Sequence, residues 1–215
     1  MVFVTGGTGY LGKPLVERLL ARGRAVRVMA RRGSEGKVPR GAEAVAGYEL
    51  AGVETVVQLV GVPRPAPWKG AQFRAVDLPL ALEAIARARD AGVRHFVYVS
   101  VAHPAPVMRE YIAVRMECER VLAASGMAHT VLRPWYVLGP GHLWPHALRP
   151  LYAMAERVPR WREGARRLGL VTRAQMIGAL EWAVENPAAG ARVMEVGEIR
   201  GAGDVREGSY DRMVP

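Results

Sequence analysis

The sequence predicts an α/β protein with a doubly wound parallel sheet, in which helices cover both faces of a central layer of strands. Short apolar runs alternate along the chain with segments of helical periodicity, for example at residues 76–101. The first apolar run, residues 1–4, lacks period-two alternation, which is typical of a strand buried on both faces. At 215 residues the chain fits one domain. We assign residues 1–201 to this domain, with a small cap within residues 135–190 and a mobile tail at residues 202–215.

A glycine-rich turn, residues 5–12 (TGGTGYLG), joins the first strand to a helix that runs to about residue 22. Gly6 permits a tight turn, Gly9 lets the backbone approach a pyrophosphate, and Gly12 lets the helix pack closely on the strand. Unpaired N–H groups at the start of the helix face the phosphates. Because strand, glycines and helix occur in the order that dinucleotide binding requires, we favour a Rossmann-type site over an ordinary turn. The residues expected to contact the cofactor here are Gly6, Thr8, Gly9, Tyr10, Leu11 and Gly12.

The second strand is predicted at residues 25–30 (AVRVMA), and Arg31 and Arg32 follow it. In dinucleotide-binding folds this position meets the adenosine ribose, where an acidic residue binds the 2′-hydroxyl of NAD and arginines suit the 2′-phosphate of NADP. No acidic residue occurs after this strand before Glu35. We therefore expect NADP(H) to be preferred, with NAD as the alternative. The competing interpretation is that both arginines are solvated loop residues.

The chain is compressed between the third and fourth strands, which we expect near residues 42–46 and at residues 54–60. Residues 47–53 are too few for a normal crossover helix, which needs a dozen residues or more. One helix is therefore expected to be shortened or missing. The gap would expose apolar surface, which a second subunit or a partner protein could cover. At the end of the fourth strand, Val60 and Gly61 are expected to lie against the cofactor.

The second half of the chain continues the same alternation. Gly92 ends one predicted helix, Gly126 ends another, and Thr172 is an N-cap for a third. The predicted helices are residues 76–91, 108–125 and 172–185, and the predicted strands are residues 95–101, 129–133 and 192–196.

Three segments resemble atypical and extended short-chain dehydrogenases/reductases, and in particular the NmrA-like NAD(P)H-binding branch. They are TGGTGYLG at 5–12, HFVYVS at 95–100 and YIAVRMECERVLAASGMAHTVLRPWYVLGPG at 111–141. The resemblance covers roughly residues 1–200. It implies a reductase centre of Ser100, Tyr111 and Arg115, in which serine binds the substrate carbonyl and tyrosine exchanges a proton with its oxygen. The third member holds the nicotinamide ribose.

Arg115 departs from the family pattern, which has lysine at this position. Arginine preserves the positive charge, and Tyr111 and Arg115 share one helix face at this spacing. Because arginine does not give up its proton near neutral pH, a proton relay through this residue is not available. Competent reductase chemistry and a simple helical pair beside a bound nucleotide both remain open. The resemblance also places Pro134 against the nicotinamide, and Trp135 and Tyr136 in the substrate pocket.

The resemblance leaves several functions open. The chain is either an NADPH-dependent reductase of a small carbonyl or quinone-type substrate, or an isomerase or epimerase of the same family. The main alternative is a non-catalytic redox sensor or complex-associated subunit that acts through partner proteins. Aromatic residues at Trp135 and Tyr136 favour an apolar or aromatic substrate if they line a pocket, and they are core residues otherwise.

Composition excludes several other classes of function. The net charge is +10, but the arginines are scattered rather than grouped into a stripe, so nucleic acid is not an expected partner. The densest basic cluster, Arg157 to Arg167, is interpreted as a solvated loop, with a site for an acidic substrate or an anionic surface as the alternative. His142 and His146 lack a third ligand nearby, so we expect no metal site. The single cysteine, Cys118, fits a reducing cytoplasm, and no apolar run approaches the ~20 residues of a membrane span.

Overall fold

A computed structural model describes residues 1–139, 164 and 167–202 and contains a seven-stranded parallel sheet. Its strands are β1 (Val2–Thr5), β2 (Val26–Met29), β3 (Glu43–Val45), β4 (Thr55–Gln58), β5 (His95–Val99), β6 (Ala128–Leu132) and β9 (Ala191–Met194). The two strands that lie between β6 and β9 in the chain belong to a second sheet. The strand order is β3-β2-β1-β4-β5-β6-β9. The chain thus winds outward in one direction from β1 and in the other from β4. This is the doubly wound Rossmann-type fold that the sequence predicted.

The separate pair is β7 (Tyr136–Leu138) and β8 (Leu170–Thr172), which form a small parallel sheet. The principal helices are α1 (Gly12–Ala21), α2 (Leu78–Asp90), α3 (Arg109–Ala124) and α4 (Arg173–Glu185). No helix among the described residues is long and apolar enough to cross a membrane. Residues 140–163, 165 and 166 of the predicted cap lie outside the described residues, and so do both cap histidines, every arginine of the basic cluster except Arg167, and the tail beyond residue 202.

The chain becomes helical before α2 begins. A 3-10 turn (Pro67–Lys69), one α turn (Gly70–Gln72) and a π-helical turn (Phe73–Asp77) run directly into α2. The sequence predicted a helix only from residue 76, because the preceding residues are rich in proline and glycine. The π turn matters for the site, since it directs Phe73 and Asp77 into the interior, where both side chains are buried.

Two apolar cores lie on the two faces of the sheet, because successive strand residues point to opposite sides. One core packs α1 and α4 against residues such as Val4 and Val57. The other packs α2 and α3 against residues such as Phe3 and Phe96. Both cores run up to the carboxyl edge of the sheet, where the polar residues of the candidate site begin.

Helix α4 lies in the layer beside the sheet, although residues 173–185 fall within the range in which we expected a cap. Met176 and Leu180 are buried in the core that also contains α1. Glu181 is buried on the same helix and binds Arg18 on α1 at 2.8 Å and Arg22, the C-cap residue of α1. Thr172 is the N-cap of α4, as predicted, with its Oγ1 accepting from the Gln175 N–H at 3.1 Å, and the Gln175 side chain completes a capping box.

The connection between β3 and β4 contains no helix, as the short spacing predicted. Part of the apolar surface that we expected in its place is covered by the loop itself. Leu50 and Val53 are buried, and the ring of Tyr48 lies 5.9 Å from the ring of Phe3. The loop folds its own apolar side chains inward and replaces the missing helix. An open groove of about 770 Å³, lined by Tyr48, Leu50 and Val53 among others, remains at this place. The expected subunit or partner interface therefore stays a prediction.

Candidate functional site

The glycine-rich turn forms a close-packed cradle between β1 and α1. Gly6 has a φ of +67°, and a Cβ atom there would lie 3.1 Å from the Val60 backbone nitrogen. A Cβ atom on Gly12 would lie 2.1 Å from the Gly6 carbonyl oxygen. These contacts confirm that Gly6 makes the turn and that Gly12 permits close packing. Gly9 has only the Gly6 oxygen nearby, at 3.1 Å from a Cβ atom, so its other side is open.

The start of α1 is suited to an anion. Leu11 is its N-cap and makes no side-chain capping bond, and the first turn carries no acidic residue. The N-terminal N–H groups and the positive end of the helix dipole therefore point toward the glycine turn. Thr8 is half-buried beside this point, and Gly9 is exposed. This is the arrangement in which a pyrophosphate binds to a Rossmann-type helix.

Arg31 and Arg32 lie beyond β2 at the same edge of the sheet, because Met29 pairs with Thr5 at the end of β1. Both arginines are exposed, and neither has an ion pair or side-chain hydrogen bond with another described residue. A groove of about 680 Å³ borders this region and is lined by Thr8, Lys13, Glu17, Leu20 and residues 36–40, which include Lys37 and Arg40. The surroundings are therefore basic and open to a phosphate.

A buried polar layer lies at the carboxyl ends of the central strands. Thr5 Oγ1 donates to Gln58 Oε1 at 2.6 Å and accepts from the Leu59 N–H at 3.1 Å. These bonds fix the start of the loop that carries Val60 and Gly61. Gln58 Nε2 is buried and has no hydrogen-bond partner among the described residues.

Ser100 follows β5 and is held in place by its backbone, since its N–H donates to the Leu132 carbonyl at 2.8 Å. Its hydroxyl Oγ is buried and has no hydrogen-bond partner within the described part of the chain. Buried polar atoms are nearly always hydrogen-bonded, so a partnerless hydroxyl is suited to a bound ligand or water. This supports the role predicted for Ser100 at a substrate oxygen.

Tyr111 and Arg115 meet on α3, as their spacing predicted. The Tyr111 ring is half-buried and packs against the ring of Phe73, with centroids 4.8 Å apart. The Arg115 guanidinium carbon lies 4.9 Å from the Tyr111 ring centroid. The phenol ring is thus held between an apolar ring and a cation.

The Arg115 guanidinium forms an ion pair and hydrogen bonds with groups in the protein interior. Nη2 lies 3.1 Å from Asp77 Oδ2, and Nη1 donates to the Tyr98 hydroxyl at 3.1 Å and to the Val99 carbonyl at 3.2 Å. The predicted contact of Arg115 with the nicotinamide ribose is therefore left to Nε, which is buried without a partner among the described residues. Arginine here bridges α3, β5 and the π-helical turn before α2.

Asp77 and Tyr98 were not predicted as site residues. Burial raises the pKa of the Asp77 carboxyl, and the Arg115 guanidinium and the Val62 N–H oppose that rise. Burial also raises the pKa of the Tyr98 phenol, again opposed by Arg115. The sequence did carry one signal: Asp77 lies four and seven residues before Ala81 and Ala84, on the buried face of a helix. An acidic residue on such a face needs a partner.

The segment after β6 lies near the glycine turn. Pro134 is buried and its carbonyl accepts from the Ala102 N–H at 3.0 Å, while Trp135 and Tyr136 are half-buried. Just beyond β7, a Cβ atom on Gly139 would lie 2.0 Å from the Tyr10 hydroxyl. The β7 segment therefore borders the turn that β1 and α1 form.

The described residues fit a nicotinamide dinucleotide. Glycines form a cradle that a side chain would fill, an uncapped helix faces it, and partnerless polar atoms are buried at the adjoining strand ends. No group of three or more His, Cys, Asp or Glu side chains among the described residues could hold a metal ion.

Comparison with known proteins agrees with this geometry. A family model described as NAD(P)H-binding matches residues 6–140. A ceramide reductase from Caulobacter vibrioides is 28% identical over 175 residues, which cover 74% of this chain and 53% of the relative. A 4-hydroxy-2-methyl-3-oxo-4-farnesyl-3,4-dihydroquinoline-1-oxide ketoreductase from Stigmatella aurantiaca is 29% identical over 199 residues, with coverages of 77% and 58%. The chain thus spans little more than half the length of these relatives.

A solved structure from Agrobacterium tumefaciens has the same fold. It is a short-chain dehydrogenase/reductase superfamily protein with bound NAD, and it superposes with a TM-score of 0.64 at 19% identity. The match covers 91% of this chain and 77% of the other.

Proposed function

Since the chain belongs to the NAD(P)H-binding family, we propose that it is an NADPH-dependent reductase of a small carbonyl or quinone-type substrate. The observation that carries this proposal is the partnerless, buried hydroxyl of Ser100, at the same edge of the sheet as the glycine cradle. Tyr111 lies in the first turn of α3, and its ring contacts Arg115. Arg115 donates to the carbonyl of Val99, the residue before Ser100. A dinucleotide cradle, a buried hydroxyl and a held phenol are the parts that a reductase of this type requires.

NADPH is the proposed cofactor because Arg31 and Arg32 are exposed beside the cradle and have no competing partners among the described residues. Arginine forms bidentate, charge-assisted hydrogen bonds with phosphate. No carboxylate follows β2 until Glu35, so nothing there would favour the free 2′-hydroxyl of NAD. NAD is the alternative cofactor, and it is the one bound in the superposed A. tumefaciens protein.

Each residue of the proposed centre has a distinct task. Bound NADPH supplies the hydride that reduces the substrate carbon. Tyr111 donates its phenolic proton to the substrate oxygen and regains one from solvent, which completes the two-electron, two-proton balance of a carbonyl reduction. Ser100 donates a hydrogen bond to the same oxygen and orients it. Arg115 holds the Tyr111 ring through its cation–π contact and gives up no proton.

The substrate is proposed to be at least partly apolar. Trp135 and Tyr136 are half-buried at the edge of the site, and aromatic rings of this kind bind apolar or aromatic groups. Both curated relatives carry names of reductases, one of ceramide and one of a farnesylated quinoline oxide. The single cysteine, Cys118, is unpaired and buried, which supports action in a reducing compartment such as the cytoplasm.

The test is NADPH oxidation by the wild type with a panel of aldehydes, ketones and quinones. The wild type is expected to oxidise NADPH with at least one acceptor. Tyr111→Phe should lose turnover and keep its NADPH affinity, because the change removes a proton donor and little binding surface. Tyr48→Phe is the matched control, since Tyr48 lies in the β3–β4 loop, away from the predicted site. Equal, non-zero rates for the wild type and Tyr111→Phe would contradict the mechanism.

A non-catalytic redox sensor is the second candidate, and one observation favours it. Arg115 stands where the family has its lysine, and its Nη groups are bound by Asp77, Tyr98 and the Val99 carbonyl. A sensor would bind NADPH but would not oxidise it with any acceptor in the panel. Affinity and turnover measured together therefore separate the two functions.

A further inference from the structure

Asp77 joins two elements of the site with the two oxygens of one carboxylate. Oδ1 accepts from the Val62 N–H at 2.6 Å, and Oδ2 lies 3.1 Å from Arg115 Nη2. The side chains of Asp77 and Arg115 are 0% and 8% exposed, so water screens this pair little. The carboxylate therefore ties the loop after β4 to α3 from within the protein.

The ion pair lies directly behind the backbone that is proposed to face the cofactor. A Cβ atom on Gly61 would be 2.8 Å from Arg115 Nη2 and 3.3 Å from Asp77 Oδ1. On its other side the guanidinium contacts the Tyr111 ring. Only Gly61, which has no side chain, lets the pair come this close to the loop.

The Asp77–Arg115 pair and the Gly61 backbone in front of it form a wall of the proposed nicotinamide site. The net charge of this wall affects how tightly the oxidised cofactor binds relative to the reduced cofactor. The nicotinamide ring is cationic in NADP⁺ and uncharged in NADPH, so a nearby cation disfavours the oxidised form and a nearby anion favours it. An unpaired lysine or arginine would therefore weaken NADP⁺ relative to NADPH. An arginine paired with a buried carboxylate presents almost no net charge.

We propose that Asp77 is a positioning and specificity residue that cancels the charge of Arg115 behind Gly61, so that a neutral wall binds oxidised and reduced cofactor. This inference rests on the proposed function, which places the nicotinamide beside Gly61 and Tyr111. Three features carry it: the separate partner of each Asp77 oxygen, the burial of both charged side chains, and the closeness of the pair to Gly61.

The test compares the dissociation constants of NADP⁺ and NADPH by calorimetry at neutral pH. Asp77→Asn keeps an oxygen that accepts from Val62 and removes the negative charge, while Arg115 stays protonated. The ratio Kd(NADP⁺)/Kd(NADPH) should then rise about fivefold or more above the wild-type ratio. Adding Arg115→Met removes the remaining charge and should return the ratio to within about twofold of the wild type.

A rescue of this kind separates electrostatics from structural damage, because a second disruptive change would not repair a damaged fold. Glu181→Gln is the matched control. It also removes a buried, arginine-bound carboxylate, but one that lies between α1 and α4, so the ratio should stay at the wild-type value. If Asp77→Asn does not fold, the test uses the double variant Asp77→Asn/Arg115→Met alone. A neutral wall predicts the wild-type ratio Kd(NADP⁺)/Kd(NADPH) in that variant too.

Two results would overturn the inference while NADPH still binds. One is an unchanged ratio in Asp77→Asn. The other is a double variant whose ratio differs from the wild type by about fivefold or more. Failure of the wild type to bind NADP⁺ or NADPH would instead refute the proposed function, and this inference with it.

Discussion

Gly12→Ala tests how tightly the glycine cradle is packed. The new Cβ atom would lie 2.1 Å from the Gly6 carbonyl oxygen and 2.7 Å from the Gly7 Cα, well inside van der Waals contact. Both neighbours are backbone atoms, so no side-chain rotation relieves the clash, and α1 must move away from the turn. The Gly6 oxygen also accepts from the Gly9 N–H at 2.9 Å, and this bond is strained by the same movement.

Two effects of Gly12→Ala oppose each other. Alanine favours the first turn of a helix over glycine by about 1 kcal/mol. Overpacking costs about 1–3 kcal/mol, here at the upper end because backbone must move, and the weakened hydrogen bond adds about 1 kcal/mol. The cost of the clash therefore exceeds the gain in helix propensity, and the free energy of unfolding should fall by about 2–3 kcal/mol. For a chain of this size the Tm should fall by about 4–12 °C.

Urea unfolding and NADPH titration check this prediction together. Gly12→Ala should lower both the stability and the NADPH affinity, since the cradle opens. Gly47→Ala is the control, because a Cβ atom there has nothing within 4 Å. It should stay within about 0.5 kcal/mol of the wild type. A Gly12→Ala protein as stable as the wild type, with equal NADPH affinity, would refute the close-packed cradle.

The double change Arg31→Ala/Arg32→Ala should remove most of the preference for NADPH over NADH and leave NADH affinity nearly unchanged, because a charged phosphate contact is worth about 1.5–3 kcal/mol. Equal wild-type affinity for NADPH and NADH in calorimetry would contradict the assignment. His95 is buried beside Thr130, and burial lowers its pKa to about 4. A depressed pKa contributes stability above the unfolded pKa of about 6.5 that is lost as pH falls toward 4, on the order of 3 kcal/mol. Urea unfolding at pH 7 and pH 4 should show a smaller loss for His95→Gln, and an equal loss in both proteins would contradict this.

Sequence patterns predicted those parts of the structure that are determined by residues close together in the chain. The spacing of Gly6 and Gly12, the capping residue Thr172 and the short distance between β3 and β4 each limit the backbone directly. These patterns predicted the cradle, the start of α4 and the absent crossover helix. They did not show that Tyr48 and Leu50 would fill the gap, because that depends on how the loop folds back onto β1.

Local sequence patterns did not predict the contacts between segments that are distant in the chain. Asp77 and Arg115 are separated by 38 residues, and only the tertiary fold brings them together. The helical turns from Pro67 were missed because prolines usually mark loops, although proline fits the first turn of a helix, where its missing N–H has no partner to lose. The place of Glu181 beside α1 depends in the same way on the packing of two distant helices.

The central claim is that a nicotinamide dinucleotide binds on the glycine turn, and calorimetric titration of NADPH into the wild type and Gly9→Val tests it most directly. The outer side of Gly9 is open, so a valine there is expected to leave the protein folded and to occupy the space of the pyrophosphate. The wild type should bind one NADPH per chain, and Gly9→Val, with unchanged far-UV circular dichroism, should bind none. A wild type that binds neither NADPH nor NADH, or a Gly9→Val protein with wild-type affinity, would contradict the claim.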